Sequence, residues 1–167
     1  MLRTSIVALG VLSLVAVAQD TVSPSENAIL GRVAEFHGAA GVFAVVGYRI
    51  GERALGELNE KWGSFNLDVT HRTPLEVQWS CIADGIQAST GVSVGKLNLH
   101  LVETTRENLE TIIRDKRSGK VVSFRLQPAF LSKFLDIQEN RQPEAAREVL
   151  KLSDDAIFTV RQGTPKP

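Results

Sequence analysis

The chain of 167 residues is 43% hydrophobic and 23% charged, which fits one globular domain able to bury a substantial core. Lys+Arg and Asp+Glu each total 19, so no net basic surplus draws nucleic acid or anionic lipid non-specifically, and neither is an expected partner. Cys81 is the one cysteine, which excludes an intramolecular disulfide and a zinc ribbon built from paired cysteines within the sequence.

The chain opens with Arg3, an apolar run from Ile6 to Ala18, and the small-x-small pattern Ala16-Val17-Ala18 before Gln19. That pattern reads as a secretory signal peptide over residues 1–18, with cleavage after Ala18. The run is shorter than the roughly 20 apolar residues of a membrane span, so no membrane attachment is expected after cleavage; a retained anchor is the alternative. The expected product is exported, periplasmic or extracellular. Residues 19–24 form a polar linker, residues 25–160 the domain, and residues 161–167 a disordered tail.

Ser25 is placed to cap a helix carrying Ile29, Leu30, Val33 and Phe36 at helical spacing and ending at His37. Gly38 and Gly41 interrupt it, and Val42 to Leu58 resumes a helical pattern. Gly47 and Gly51 lie four apart on that second helix, each costing about 1 kcal/mol of helix propensity relative to alanine, which implies close packing against another element. Leu67–Thr70 and Leu75–Trp79 are β-prone and flank the turn-like segment HRTP, placing His71 in a loop. Cys81 to Ser89 is a short helix on which Cys81 and Asp84 share a face. Leu97, Leu99 and Leu101 alternate with Asn98 and His100 as on a half-buried strand, with His100 towards solvent. LETIIRDKRSGKVVSFRL predicts a hairpin turning at Lys116 to Gly119. Amphipathic helices follow from Pro128 and Pro143, and Ser153 with Asp154 and Asp155 caps a last turn before Phe158. Helices, a strand-rich middle and further helices predict an α+β (α/β) single domain with a mixed central sheet flanked by helices.

Two segments concentrate the chemistry: FHGAAGVFAVVGYRIG at residues 36–51 and WSCIADGIQASTGVSVGKLNL at residues 79–99. They hold His37, Tyr48, Arg49, Cys81, Asp84, Gln87, Lys96 and Asn98, the residue types of a ligand or metal pocket. Each also has a structural reading. An imidazole at His37 can close a helix C-terminus, Cys81 can serve as a small buried hydrophobe, and Tyr48 and Arg49 can lock the helix to the sheet.

The paired segments resemble the hallmarks of the formylmethanofuran dehydrogenase FmdE family, from about residue 35 to 99 and more weakly to about residue 160. In that family the first segment reads His-Gly-His-x-Cys-Pro-Gly and then Gly-Tyr-Arg-x-Gly; here His37, Gly38, Gly47, Tyr48, Arg49 and Gly51 match. The second reads Cys-x-x-Asp-Ala-Ile-Gln, Thr-Gly-Cys-Thr and Gly-Lys-Gly-Asn-Leu, matched by Cys81, Asp84, Ile86, Gln87, Thr90, Gly91, Gly95, Lys96, Asn98 and Leu99. Ala39, Gly41, Val42, Phe43, Gly85, Val92, Ser93 and Leu97 depart from it.

The resemblance implies a metal, usually zinc, at the His/Cys cluster. Of the strong ligands only His37 and Cys81 remain, helped by Asp84, against the three or four that zinc sites use. It also implies a homodimer, to which the glycine-striped helix is suited. Formylmethanofuran dehydrogenation is not expected, because the sequence offers no iron–sulfur ligand set.

Three functions follow, in order. The first is a domain binding a small molecule, or weakly a divalent metal, through His37, Tyr48, Arg49, Cys81, Asp84, Gln87, Lys96 and Asn98. The second is an enzyme in which His37 and Cys81 form a catalytic dyad, and the third a scaffold whose site has decayed. The sequence assigns no reaction.

Overall fold

The structure is a computed structural model that describes residues 25–163. The expected signal peptide, the linker and residues 164–167 lie outside them.

Helix α1, Glu26–His37, starts at Ser25, whose hydroxyl accepts from Ala28 N at 3.3 Å. It stops at Gly38, left-handed at φ 87°, whose N–H reaches Ala34 O. A left-handed C-cap favours glycine because no Cβ meets the backbone there. The chain then bends by 109° into α2, Val42–Leu58, putting His37 at a corner beside the start of the longest helix. Among the described residues no single helix is long and apolar enough to cross a membrane.

Strand β1, Leu67–Thr73, leads through a single helical turn, α3 at Val77–Ser80, into α4, Ile82–Thr90, and then β2, Leu99–Glu103. Strands β3, Glu110–Asp115, and β4, Val121–Leu126, form the expected hairpin. Helices α5, Pro128–Phe134, α6, Gln142–Lys151, and α7, Asp154–Ile157, precede β5, Phe158–Gly163. The strand order is β2-β1-β3-β4-β5. Among the described residues only the β1–β2 pair is parallel, because α3 and α4 carry the chain back along the sheet; the other pairs are antiparallel. The mixed sheet and α+β class are those the sequence predicts.

Helix α2 is the centre of the core. Val42 to Val46, Tyr48, Ile50, Ala54 and Leu58 are all buried. Its glycines face α4: a Cβ on Gly47 would stand 1.9 Å from Ile82 O, and one on Gly51 would stand 1.9 Å from Ser89 Oγ. Gly85 reciprocates from α4, where a Cβ would fall 1.8 Å from Ala44 O. The two backbones therefore touch, and the expected close approach of Gly47 is met inside the domain. The stripe is occupied by α4, so it supplies no argument for a dimer.

Four local expectations are corrected. The half-buried strand expected from Leu97 begins only at Leu99, and its apolar face is not kept: Leu97 and Leu101 are exposed while Asn98 is buried. Leu75–Trp79 is not a strand: Trp79 N and Ser80 N both donate to Glu76 O, closing the turn of α3. Leu75, Val77 and Trp79 have a strand's period, yet only Trp79 turns inward while Leu75 and Val77 stay exposed. His71 is not in a loop, since β1 runs on to Thr73 and buries it. Residues 161–163, expected in the tail, pair with β4 up to Val121↔Gly163. Ser153 does stand at the N-cap of α7, although its hydroxyl makes no capping bond. His100 is on an exposed strand position, as expected, with Nε2 3.1 Å from Asp68 Oδ1.

Candidate functional site

The corner between α1 and α2 opens onto a cavity of about 1180 Å³, closed on its other sides by α3, the start of α4, and the α5–α6 region. His37, from the first motif segment, and Cys81, from the second, both line it. Ala39, Ala40, Gly41 and Phe43 supply a smooth wall beside them.

Asp84 stands one turn along α4 from Cys81, and its Oδ2 accepts from His37 Nδ1–H at 2.8 Å. A carboxylate bound to one ring nitrogen fixes the tautomer and ring orientation, leaving Nε2 as an acceptor. This pair links α1 to α4, as does Arg32 Nε donating to Ala88 O at 3.3 Å.

The thiol of Cys81 behaves differently. Burial, with a further contribution from the neighbouring Asp84 carboxylate, pushes it up to about 12. Its Sγ–H donates to Gln78 O at 3.1 Å, not to His37. A nucleophilic cysteine needs its thiolate near neutral pH, and here the group is a protonated wall of the cavity.

The remaining motif residues lie outside the cavity lining. Arg49 reaches from α2 to the end of α6, donating to Val149 O at 3.2 Å, Leu150 O at 3.1 Å and Leu152 O at 3.0 Å, and pairing with Asp154 at 2.6 Å. It locks α2 to the C-terminal helices rather than to the sheet. Arg49→Met keeps the stem and strands these acceptors, so a loss on the order of 2 kcal/mol is expected in urea melts; an unchanged midpoint would show the tie to be idle.

Tyr48 is buried in α2, and its hydroxyl titrates above its usual range, first through burial and then through Glu52. Gln87 is half-buried on α4. Lys96 Nζ donates to Gly91 O at 2.8 Å and Gly63 O at 3.3 Å. Asn98, fully buried, accepts from Ser93 N at 3.0 Å and donates to Leu67 O at 3.1 Å. Lys96 and Asn98 thus build the connection from α4 to β2.

Sequence reasoning misses three cavity residues. Gln142 Oε1 accepts from Val42 N and its Nε2 donates to Ile137 O, both at 3.0 Å, capping α2 from α6. Gln78 donates to Leu135 O. Arg147 lines the cavity with its Nη1 2.8 Å from Asn27 Oδ1. Gln142 and Arg147 lie far along the chain from the motif residues they adjoin, Gln78 stands just before Cys81, and no local pattern distinguishes the three from other polar helix residues.

The zinc that the resemblance implies can be tested against these donors. Among the described residues no group of three His, Cys, Asp or Glu side chains is arranged to hold a metal ion. His37 and Cys81 supply two donors and the nearby carboxylate is taken by His37, so the residues do not fit a structural or catalytic zinc shell.

The fold agrees with a crystal structure of a tungsten formylmethanofuran dehydrogenase FmdE-like protein from Syntrophus aciditrophicus. The TM-score is 0.59 at 21% identity, covering 91% of this chain and 79% of that one. No curated protein matches the chain. The family described as FmdE, Molybdenum formylmethanofuran dehydrogenase operon, matches residues 36–162. That match takes in both motif segments, the hairpin and the C-terminal helices, and the chain belongs to the FmdE family.

Proposed function

We propose that this FmdE domain is an exported binding protein that holds a small organic molecule in the cavity between the two motif segments. The observation that carries the reading is the meeting of His37 and Cys81 in one lining whose neighbouring wall is alanine, glycine and phenylalanine. The cavity, about 1180 Å³, is large enough for a ligand of cofactor or drug size, since such pockets run from about 300 to 1,000 Å³. His37, oriented by Asp84, offers a fixed acceptor, Arg147 and Gln142 add donors to the lining, and Asp136 and Glu139 add carboxylates. Such a mixture of apolar wall with a few donors and acceptors suits a compact molecule carrying both donor and acceptor groups. A divalent ion would find two protein donors and bind loosely, through water.

Native mass spectrometry of protein purified from an exporting host tests the cavity. The wild type is expected to carry a small-molecule adduct that Ala39→Trp, which places an indole in the lining, does not. Bare wild-type protein, or an adduct retained by Ala39→Trp, would sink the proposal.

The export half rests on the apolar run and small residues before Gln19. Sequencing the N-terminus of the exported protein is expected to begin at Gln19, whereas an intact Met1 in the membrane fraction would overturn cleavage.

A further inference from the structure

Away from the cavity, the connections leaving α2 and α4 form a surface that neither the fold nor the proposed ligand site uses. Leu97 is 80% exposed, Phe65 and Val94 each 67%, and Trp62 58%. Leu97 is also left-handed, at φ 54°. A branched residue is disfavoured in that region, which glycine occupies freely. Here the unfavourable backbone holds an apolar side chain in water, where it gains no packing within the domain. Strain of this kind points towards a role outside the fold.

The aromatics are fixed by cations. The Arg32 guanidinium lies 4.8 Å over Phe36 and 5.1 Å over Trp62, whose Nε1 donates to Ala88 O at 3.3 Å. The Lys96 ammonium sits 4.7 Å over Phe65 while bonding to Gly63 and Gly91 carbonyls. These contacts join the α2 and α4 connections into one contiguous face. The hairpin turn abuts it through Lys116 N to Asn66 O at 2.8 Å. Lys61, Lys116 and Arg117 are exposed there, beside Arg32 and Lys96. Glu35 and Glu60 pair with Arg32 and Arg117, and Asp115 lies against Arg117 in the hairpin turn; Lys61, Lys96 and Lys116 make no ion pair among the described residues, so five cations face three carboxylates and the face keeps a positive excess.

We infer that this face docks on an anionic lipid bilayer. Trp62, Phe65, Val94 and Leu97 enter the headgroup boundary while the basic side chains meet lipid phosphates. Aromatic rings and lysine or arginine side chains together favour that boundary, where an apolar body and a charged head are both solvated. The zero net charge excludes a general attraction to membranes and leaves this local one intact. The inference does not depend on what fills the cavity.

Sedimentation of the exported full-chain product with phosphatidylglycerol–phosphatidylcholine vesicles, against phosphatidylcholine alone, is the test. Variants share one N-terminus, so differences among them read this face. Wild type is expected to bind the anionic vesicles and to be released by high salt. Leu97→Gly should bind about tenfold more weakly, the loss of one buried leucine side chain, with thermal stability unchanged or raised because glycine accepts the backbone. Phe65→Ser should weaken binding similarly. Absence of wild-type binding, or equal binding by Leu97→Gly, overturns the inference. So does a wild-type dimer that Leu97→Gly dissociates without any vesicle binding, which would assign the face to a second copy. Retention of a single-stranded oligonucleotide in place of vesicles also overturns it.

Discussion

Gly47→Leu is expected to lower the unfolding free energy by about 3 kcal/mol or more, at or beyond the upper end of ordinary overpacking. The reason is that the atom met by the new Cβ, 1.9 Å away, is a backbone carbonyl oxygen of Ile82 and not a side chain that can rotate aside. Relief requires moving α4 away from α2, which opens the core around both. Gly85→Ala should have a comparable effect, because its Cβ would stand 1.8 Å from Ala44 O. Once one substitution has separated the helices the second meets less resistance, so the double variant should lose less than the sum of the singles. Urea melts of the four proteins provide the measurement. A Gly47→Leu midpoint equal to wild type would mean that α2 and α4 are not in backbone contact.

His71 should make stability depend on pH. It stands opposite Thr111 across β1 and β3, with Nε2–H donating to Trp79 O at 3.2 Å and Nδ1 accepting from Thr111 Oγ1 at 2.9 Å. The neutral ring is therefore satisfied on both sides. Burial lowers its pKa from 6.5 to about 4, partly opposed by the Trp79 carbonyl. Between these values the unfolded chain binds a proton that the folded one refuses, so stability rises with pH through the window. This contribution is complete above about 6.5 and is lost as pH falls towards about 4, a total on the order of 3 kcal/mol. Melts of wild type and His71→Gln at several pH values should diverge in slope there, the variant being flatter. Parallel slopes would show that His71 already accepts a proton in the fold.

Periodicity made the helices legible. Ser25 with Ile29, Leu30 and Val33, and the glycine-marked α2, gave positions and lengths close to those observed. The hairpin around Lys116 to Gly119 was equally plain because apolar runs flank one turn. Alternation misled at two segments. Leu75 to Trp79 alternates like a strand, but the carbonyl of Glu76 finds its partners within the segment and α3 forms. Phe158 to Gly163 offers only Phe158 and Val160 as apolar residues before Arg161 and Gln162, too little alternation to declare itself, and becomes β5 because β4 offers a free edge.

The site was half legible. The motif segments did bring His37, Cys81 and Asp84 together, since the glycines between α1 and α2 and the α2–α4 contact fix their relative positions. Arg49, Lys96 and Asn98 carry binding chemistry in type alone; their partners are mainly backbone carbonyls and amides, with Asp154 for Arg49 and Phe65 for Lys96, which residue identity cannot reveal. Gln142 and Arg147 enter the lining through the packing of α6 against α2 and α1, and Gln78 through the contact of α3 with Leu135 at the end of α5, a consequence of the whole fold.

The reach of Arg49 has a kinetic consequence. Its guanidinium on α2 waits for carbonyls about a hundred positions later, and β4 waits for β5, which ends at Gly163. Contacts of such sequence separation form only after large loops have closed, which slows the final step of folding. A nascent chain on the ribosome can form α1, α2 and the first strands, but cannot clasp them until α6 to β5 have emerged. Truncation by even ten residues at the C-terminus would therefore leave an open-edged, collapsed species rather than a slightly weakened domain.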